Sequence, residues 1–192
     1  MSVAARQQIA IYGGSFDPPH VAHVLTVAWL ISATAVDEVW IAPVALHPLG
    51  KHPSRFSDRL ALCALAFSLF GKCVRVIDDE NRPGGSGRTL DLLLHLQSQH
   101  PSVDFRFVLG TDQVAQRHRW HRFDEVMRLA PPIVVGRPGF AGAEQLMPTI
   151  ELPAVASTTL RAALRAGESV DGLVPKSVLA YIETHWLYRD AP

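Results

Sequence analysis

The densest chemistry in this chain lies near its start, in the run Gly13-Gly14-Ser15-Phe16-Asp17-Pro18-Pro19-His20-Val21-Ala22-His23. His20 and His23 are three residues apart, so in a helix their side chains share one face with Cβ atoms roughly 5–6 Å apart. Helix-spaced apolar residues begin at this point, which makes the pair part of a first helical turn. Free N–H groups and the positive end of the helix dipole gather at that end. Two imidazoles there suit a phosphate, which is anionic and accepts hydrogen bonds. The glycines before them allow close backbone approach.

Two other readings compete. A His-x-x-His pair can hold a metal, although no Cys, Glu or third His lies nearby in sequence to complete a site. Histidines on a helix can also be purely structural. The run is neither the Gly-x-Gly-x-x-Gly of dinucleotide oxidoreductases nor a P-loop, which needs Gly-Lys-Ser/Thr. A second segment with the same logic occurs far away, at Ser157-Thr158-Thr159-Leu160-Arg161. Ser157 or Thr158 can cap a helix there, and Arg161 stands one turn further on, offering a two-pronged donor on the same face.

These segments need elements to hold them. Gln8 to Tyr12 reads as a strand ended by glycine, and His20 to about Ala33 as a helix apolar on more than one side. Glu38 to Val44 is a second strand. Ser57 is the expected cap of a helix over Leu60 to Phe70, with Asp58 in its first turn. Val74 to Ile77, Val103 to Leu109 and Ile133 to Val135 follow as strands. Between and after them, Thr89 to Gln99, a stretch after Gly110-Thr111-Asp112, Phe123 to Leu129, Ser157 to Ala166 and Pro175 to His185 read as helices. Strand–helix alternation predicts an α/β fold: a Rossmann-like, doubly wound parallel sheet of about five to six strands with helices on both faces. In such folds ligands lie beyond the carboxyl ends of the strands, where His20 would stand.

The 192 residues are expected to form a single domain over 1–192, with no repeat, low-complexity block or linker. Eighteen Lys plus Arg balance 18 Asp plus Glu, which argues against broad electrostatic capture of nucleic acid or an anionic membrane. Two cysteines, Cys63 and Cys73, cannot build a disulfide framework. No run reaches the roughly 18 apolar residues of a membrane span, and Met1 to Ala10 has no signal-peptide core. A cytoplasmic protein is expected.

The two phosphate-ready segments together resemble the nucleotidyltransferase superfamily with the histidine-x-x-histidine signature. Within it the chain is similar to the bacterial nicotinate-nucleotide adenylyltransferases. Further points of similarity are Gly110-Thr111-Asp112, Trp120, Val135-Gly136-Arg137-Pro138-Gly139 and the closing Val174-Pro175, Tyr181-Ile182 and Leu187-Tyr188. The resemblance implies transfer of AMP from ATP to a pyridine mononucleotide, by direct in-line attack of the acceptor phosphate on the α-phosphorus. It implies His20, His23, Lys51 and Arg161 as catalytic residues, and Gly13, Gly14, Ser15, Phe16, Ser157 and Thr158 beside them in the ATP site. For the acceptor it implies Asp17, Lys51, Thr89, Asp112, Trp120 and Arg137. Mg²⁺ would ride on the ATP phosphates, with no metal ligand from the protein.

The chain departs from the family pattern in three places. The family's Ser-Tyr-Thr is Gly87-Arg88-Thr89, its usual Gly before the second histidine is Ala22, and its Pro-Pro-His-Lys loop reads Ala45-Leu46-His47-Pro48-Leu49-Gly50-Lys51. Arg88 could supply positive charge to a nicotinate carboxylate. The same chemistry on nicotinamide mononucleotide or phosphopantetheine, and a nucleotide-binding protein without turnover, stay open at this point.

Overall fold

The computed structural model describes residues 6–46, 53–136, 150 and 152–189. In order these hold β1 (Gln7–Gly14), α1 (Val21–Ala33), β2 (Glu38–Pro43), α2 (Phe56–Phe67), β3 (Val74–Val76), α3 (Thr89–Gln99), β4 (Val103–Gly110), α4 (Thr111–Ala115), α5 (Phe123–Leu129), β5 (Pro132–Val135), α6 (Ser157–Ala166) and α7 (Lys176–Thr184). The five strands among the described residues form one sheet in the order β3-β2-β1-β4-β5, every pairing parallel. This is the doubly wound α/β arrangement expected from the alternation.

Side chains alternate across each strand, so the sheet feeds two cores. Ala10, Val39, Ile41, Val108 and Val135 face one side and pack with Val27 and Leu30 of α1, Leu62 and Phe67 of α2, Leu160 of α6 and Val178 and Ile182 of α7. Ile9, Ile11, Trp40, Phe105, Phe107 and Leu109 face the other, against Leu90, Leu93 and Leu96 of α3, Val114 of α4 and Val126 of α5. Each fully buried Leu or Ile of these layers contributes on the order of 1.5–3 kcal/mol. The Tyr181 hydroxyl donates to the Asp58 carboxylate at 3.1 Å, tying α7 to the first turn of α2.

The second helix differs from the sequence reading at both ends. The second helix begins at Phe56, with Arg55 in the cap position, so Ser57 lies inside its first turn and does not cap it. Arg59 shares the buried face of Leu62, Cys63 and Ala66. The α-helical part stops at Phe67, passing into a tight turn over Ser68–Cys73 where Gly71 takes φ 54°. No helix among the described residues is long and apolar enough to cross a membrane.

Candidate active site

The strand order reverses between β1 and β4, and the crevice at such a reversal is where ligands enter doubly wound sheets. Ile11 pairs with Phe107 across this seam. Three residues further on, Gly14 and Gly110 end their strands at the same level. From there the chain leaves toward α1 on one face and α4 on the other, as the two cores require.

The turn out of β1 is tightly specified. A Cβ on Gly14 would lie 3.1 Å from the Phe16 ring, so this glycine makes room for a side chain of its own loop. Phe16 takes φ 48° and is 1% exposed, its ring edge-on to Tyr12, Phe67 and His23. Its ring is therefore part of the core. The Asp17-Pro18 peptide is cis. Asp17 is buried and turned inward: one carboxylate oxygen accepts from the Tyr188 hydroxyl at 2.7 Å and the other from the Ser54 N–H at 3.2 Å. With its carboxylate turned to Tyr188 and Ser54, Asp17 organises the loop.

His20 caps α1 and His23 stands in its first turn, both buried, with rings stacked 3.8 Å apart. The His20 N–H donates to His23 Nδ1 at 3.1 Å. With Nδ1 accepting, neutral His23 carries its proton on Nε2, which makes the far side of the ring a donor. The helix N-terminus itself is less open than the sequence suggested. The Val21 N–H is spent on Leu173 O at 2.8 Å and that of His23 on His20 O at 2.9 Å. An anion placed here would meet the imidazoles and the helix dipole more than free backbone donors.

The distant segment arrives at this loop. Ser157 does not cap α6; Ala156 holds that position, and the Ser157 hydroxyl donates across to Pro18 O at 3.0 Å. One helical turn on, Arg161 Nη1 donates to Asp17 O at 2.7 Å and lies 3.7 Å from the Asp17 carboxylate. Thr158 is exposed beside them in the first turn of α6. His20, His23, Ser157 and Arg161 are thus joined into one cluster through residues 17 and 18.

On the other side of the seam, Thr89 opens α3 with Arg88 exposed in the cap position, and Asp112 lies in the first turn of α4. Trp120 is half-buried, edge-on to Phe107 and Phe123. Phe107 also lies within 3.5 Å of where a Gly13 Cβ would be, so one ring connects the Trp120 region to the first turn. Gly87 at φ 69° explains one departure from the family pattern: an added Cβ would sit 2.6 Å from Leu46 O, so no side chain fits where the family has serine. The loop before α3 is stapled by Asp91, whose carboxylate accepts from the Arg82 guanidinium and the Ser86 N–H. Those hydrogen bonds, led by the Ser86 N–H, hold its pKa below the ordinary carboxylate value.

Beneath that loop burial pushes the Glu80 carboxyl from 4.5 up to about 7, with Arg82 opposing the rise and Asp91 adding to it. Between those values the folded chain keeps a proton that the unfolded chain has released, so stability falls as pH climbs through the window. Glu80→Gln should therefore raise the melting temperature at about pH 8 and leave it nearly unchanged at about pH 5. Thermal unfolding at the two pH values checks this; equal shifts at both would exclude a charge origin.

Lys51 and Arg137 lie outside the described residues. No cluster of three or more His, Cys, Asp or Glu able to hold a metal occurs among those described. The sequence reading missed Arg59, a residue 1% exposed whose guanidinium donates to Ser15 O and Ser54 O, both at 3.0 Å. Its signal was its spacing, on the face of Leu62, Cys63 and Ala66. Tyr188 was noted only as part of a similarity, yet its hydroxyl reaches the loop.

The chain is similar to known proteins along most of its length. The family profile described as cytidylyltransferase-like matches residues 11–163. A protein of Anaeromyxobacter dehalogenans (strain 2CP-C), named as a probable nicotinate-nucleotide adenylyltransferase, is 42% identical over 186 residues, covering 95% of this chain and 97% of its own. One of the same name from Myxococcus xanthus (strain DK1622) is 35% identical, covering 94% of each chain. Among solved structures, the nicotinic acid mononucleotide adenylyltransferase of Plasmodium falciparum complexed with NaAD shares the fold, with a TM-score of 0.81 at 22% identity over 95% of this chain and 97% of that one. The chain belongs to the cytidylyltransferase-like family and, within it, to the nicotinate-nucleotide adenylyltransferases.

Proposed function

We propose that this chain, acting as a single nucleotidyltransferase domain in the cytoplasm, transfers AMP from ATP to nicotinate mononucleotide, giving deamido-NAD and pyrophosphate. The observation that carries the reading is the joining of two distant segments, through Ser157 to Pro18 O and Arg161 to Asp17 O, around a pair of stacked imidazoles. An oxygen of the acceptor phosphate forms a bond to the α-phosphorus as the bond from that phosphorus to the pyrophosphate oxygen breaks. The attacking phosphate is already anionic at neutral pH, so no general base is needed. The protein positions two anions and stabilises the charge that moves onto pyrophosphate.

His23, donating through Nε2, and His20 beside it face that charge, with Arg161 and Lys51 as cations for the triphosphate. Thr89, Asp112, Trp120 and Arg137 hold the acceptor, the Trp120 face packing on its pyridine ring. Arg88, exposed at the cap of α3, supplies positive charge for the nicotinate carboxylate. Mg²⁺ enters as part of the substrate, as MgATP, where it offsets phosphate charge. Imidazole and guanidinium donors with an occupied carboxylate suit phosphate oxygens better than a hard cation, which prefers oxygen ligands. Pyrophosphate release from ATP, measured with nicotinate mononucleotide, nicotinamide mononucleotide and phosphopantetheine in turn, tests the reading. Release is expected with the first. A preference for another acceptor would reassign the substrate, and no release with any would leave a nucleotide-binding protein.

A further inference from the structure

We propose that Tyr188 is a positioning residue for ATP, acting through Asp17 to keep Arg161 available to the triphosphate. This rests on the assignment of Arg161 to the ATP site. Asp17 is 4% exposed, and three separate segments converge on its carboxylate: Ser54 just before α2, Arg161 from α6 and Tyr188 beyond α7. The contacts are unequal. Tyr188 Oη donates to one oxygen at 2.7 Å, whereas Arg161 Nη1 stands 3.7 Å from the other and spends its short bond, 2.7 Å, on the Asp17 backbone carbonyl.

Arginine and carboxylate at such range ordinarily close into a two-pronged pair. Here Tyr188 and Ser54 occupy the carboxylate first. Arg161 is held by one prong at a backbone oxygen, and the rest of its fork is left for a ligand. Tyr188 is itself committed to this place. It is largely buried at φ 62°, a region that bulky residues seldom adopt unless their surroundings impose it. Burial first, then the facing Asp17 carboxylate, push its phenol well above the ordinary tyrosine value, so it remains a donor at all working pH values. Without that hydroxyl, the carboxylate loses its shortest hydrogen bond. Arg59, which also faces this carboxylate, is committed to Ser15 O and Ser54 O, so Arg161 at 3.7 Å is the donor that would swing onto Asp17 and away from the triphosphate.

The test is Tyr188→Phe, which keeps the ring and removes the hydroxyl that donates to Asp17. MgATP affinity, read by calorimetry without acceptor, should weaken about tenfold, the scale of one charge-assisted hydrogen bond. KM for nicotinate mononucleotide should stay constant. In an Arg161→Gln background the same change should have no further effect on ATP affinity, since the residue it acts through is gone. Unchanged ATP affinity in the single variant would overturn the proposal. So would additive effects in the double variant, or parallel losses for both substrates with a lowered melting temperature, which would mark Tyr188 as packing alone. Because ATP binding is read without turnover, a chain that releases no pyrophosphate would sink the proposed function and leave this test intact.

Discussion

Replacing His23 with alanine lowers kcat by about two to three orders of magnitude, the scale of losing one preorganised donor to a developing anion. The tautomer of His23 sets the effect. The His20 N–H donating to Nδ1 leaves the proton of the neutral ring on Nε2, the nitrogen facing away from the backbone. A donor fixed before the reaction starts needs no reorganisation as charge flows onto pyrophosphate. Its worth is greatest in the transition state, so kcat and kcat/KM should fall together, with KM for ATP moving much less.

The ring also packs against Phe16 at 4.9 Å and His20 at 3.8 Å, so its removal opens a space. The melting temperature is therefore measured beside the kinetics. A His23→Asn variant, polar and smaller than imidazole, separates loss of volume from loss of the placed donor. Turnover near wild type in both variants would remove His23 from the mechanism.

The parts of this site legible in the sequence were those with local signals. Spacing placed His20 and His23 on one helical turn, and strand–helix alternation put that turn at the carboxyl end of a parallel sheet. α3, α5 and α6 follow the sequence reading to the residue, because periodic apolar residues and nearby turns mark their ends. What was not legible depends on distant contacts. Ser157 reads as a helix cap because serine usually is one; only the arrival of Pro18 O in three dimensions turns its hydroxyl to another task. Phe16 sits inside a ligand motif, but a left-handed backbone sends its ring into the core. Asp17 reads as a site carboxylate, and the residues that occupy it, Ser54 and Tyr188, lie far along the chain in each case. Gly87 departs from the family pattern for a reason visible only beside Leu46 O.

The same dependence on distant partners predicts the largest effect on stability, at Arg59. Its guanidinium is buried, donates to two carbonyls and lies over the Phe56 ring at 5.4 Å, with Asp17 as the facing negative charge. Burial pulls its pKa down and the Asp17 charge pulls it back up. Arg59→Met keeps the length and apolar contact of the side chain. It removes both donors and leaves the buried Asp17 with less compensation. Two terms then oppose each other. Methionine avoids the cost of burying a guanidinium, but Ser15 O and Ser54 O lose their donor and a buried carboxylate loses its countercharge. Removing one partner from a buried charged network costs about 3–5 kcal/mol, so the second term wins. In a protein of this size each kcal/mol moves the melting temperature by roughly 2–4 °C, which gives a drop on the order of 10 °C. Combining Arg59→Met with Asp17→Asn should cost less than the sum of the two single changes, since the second removes the charge the first leaves exposed to an apolar interior. A melting temperature unmoved by Arg59→Met would show that the two carbonyls find other donors and that Arg59 fills space only.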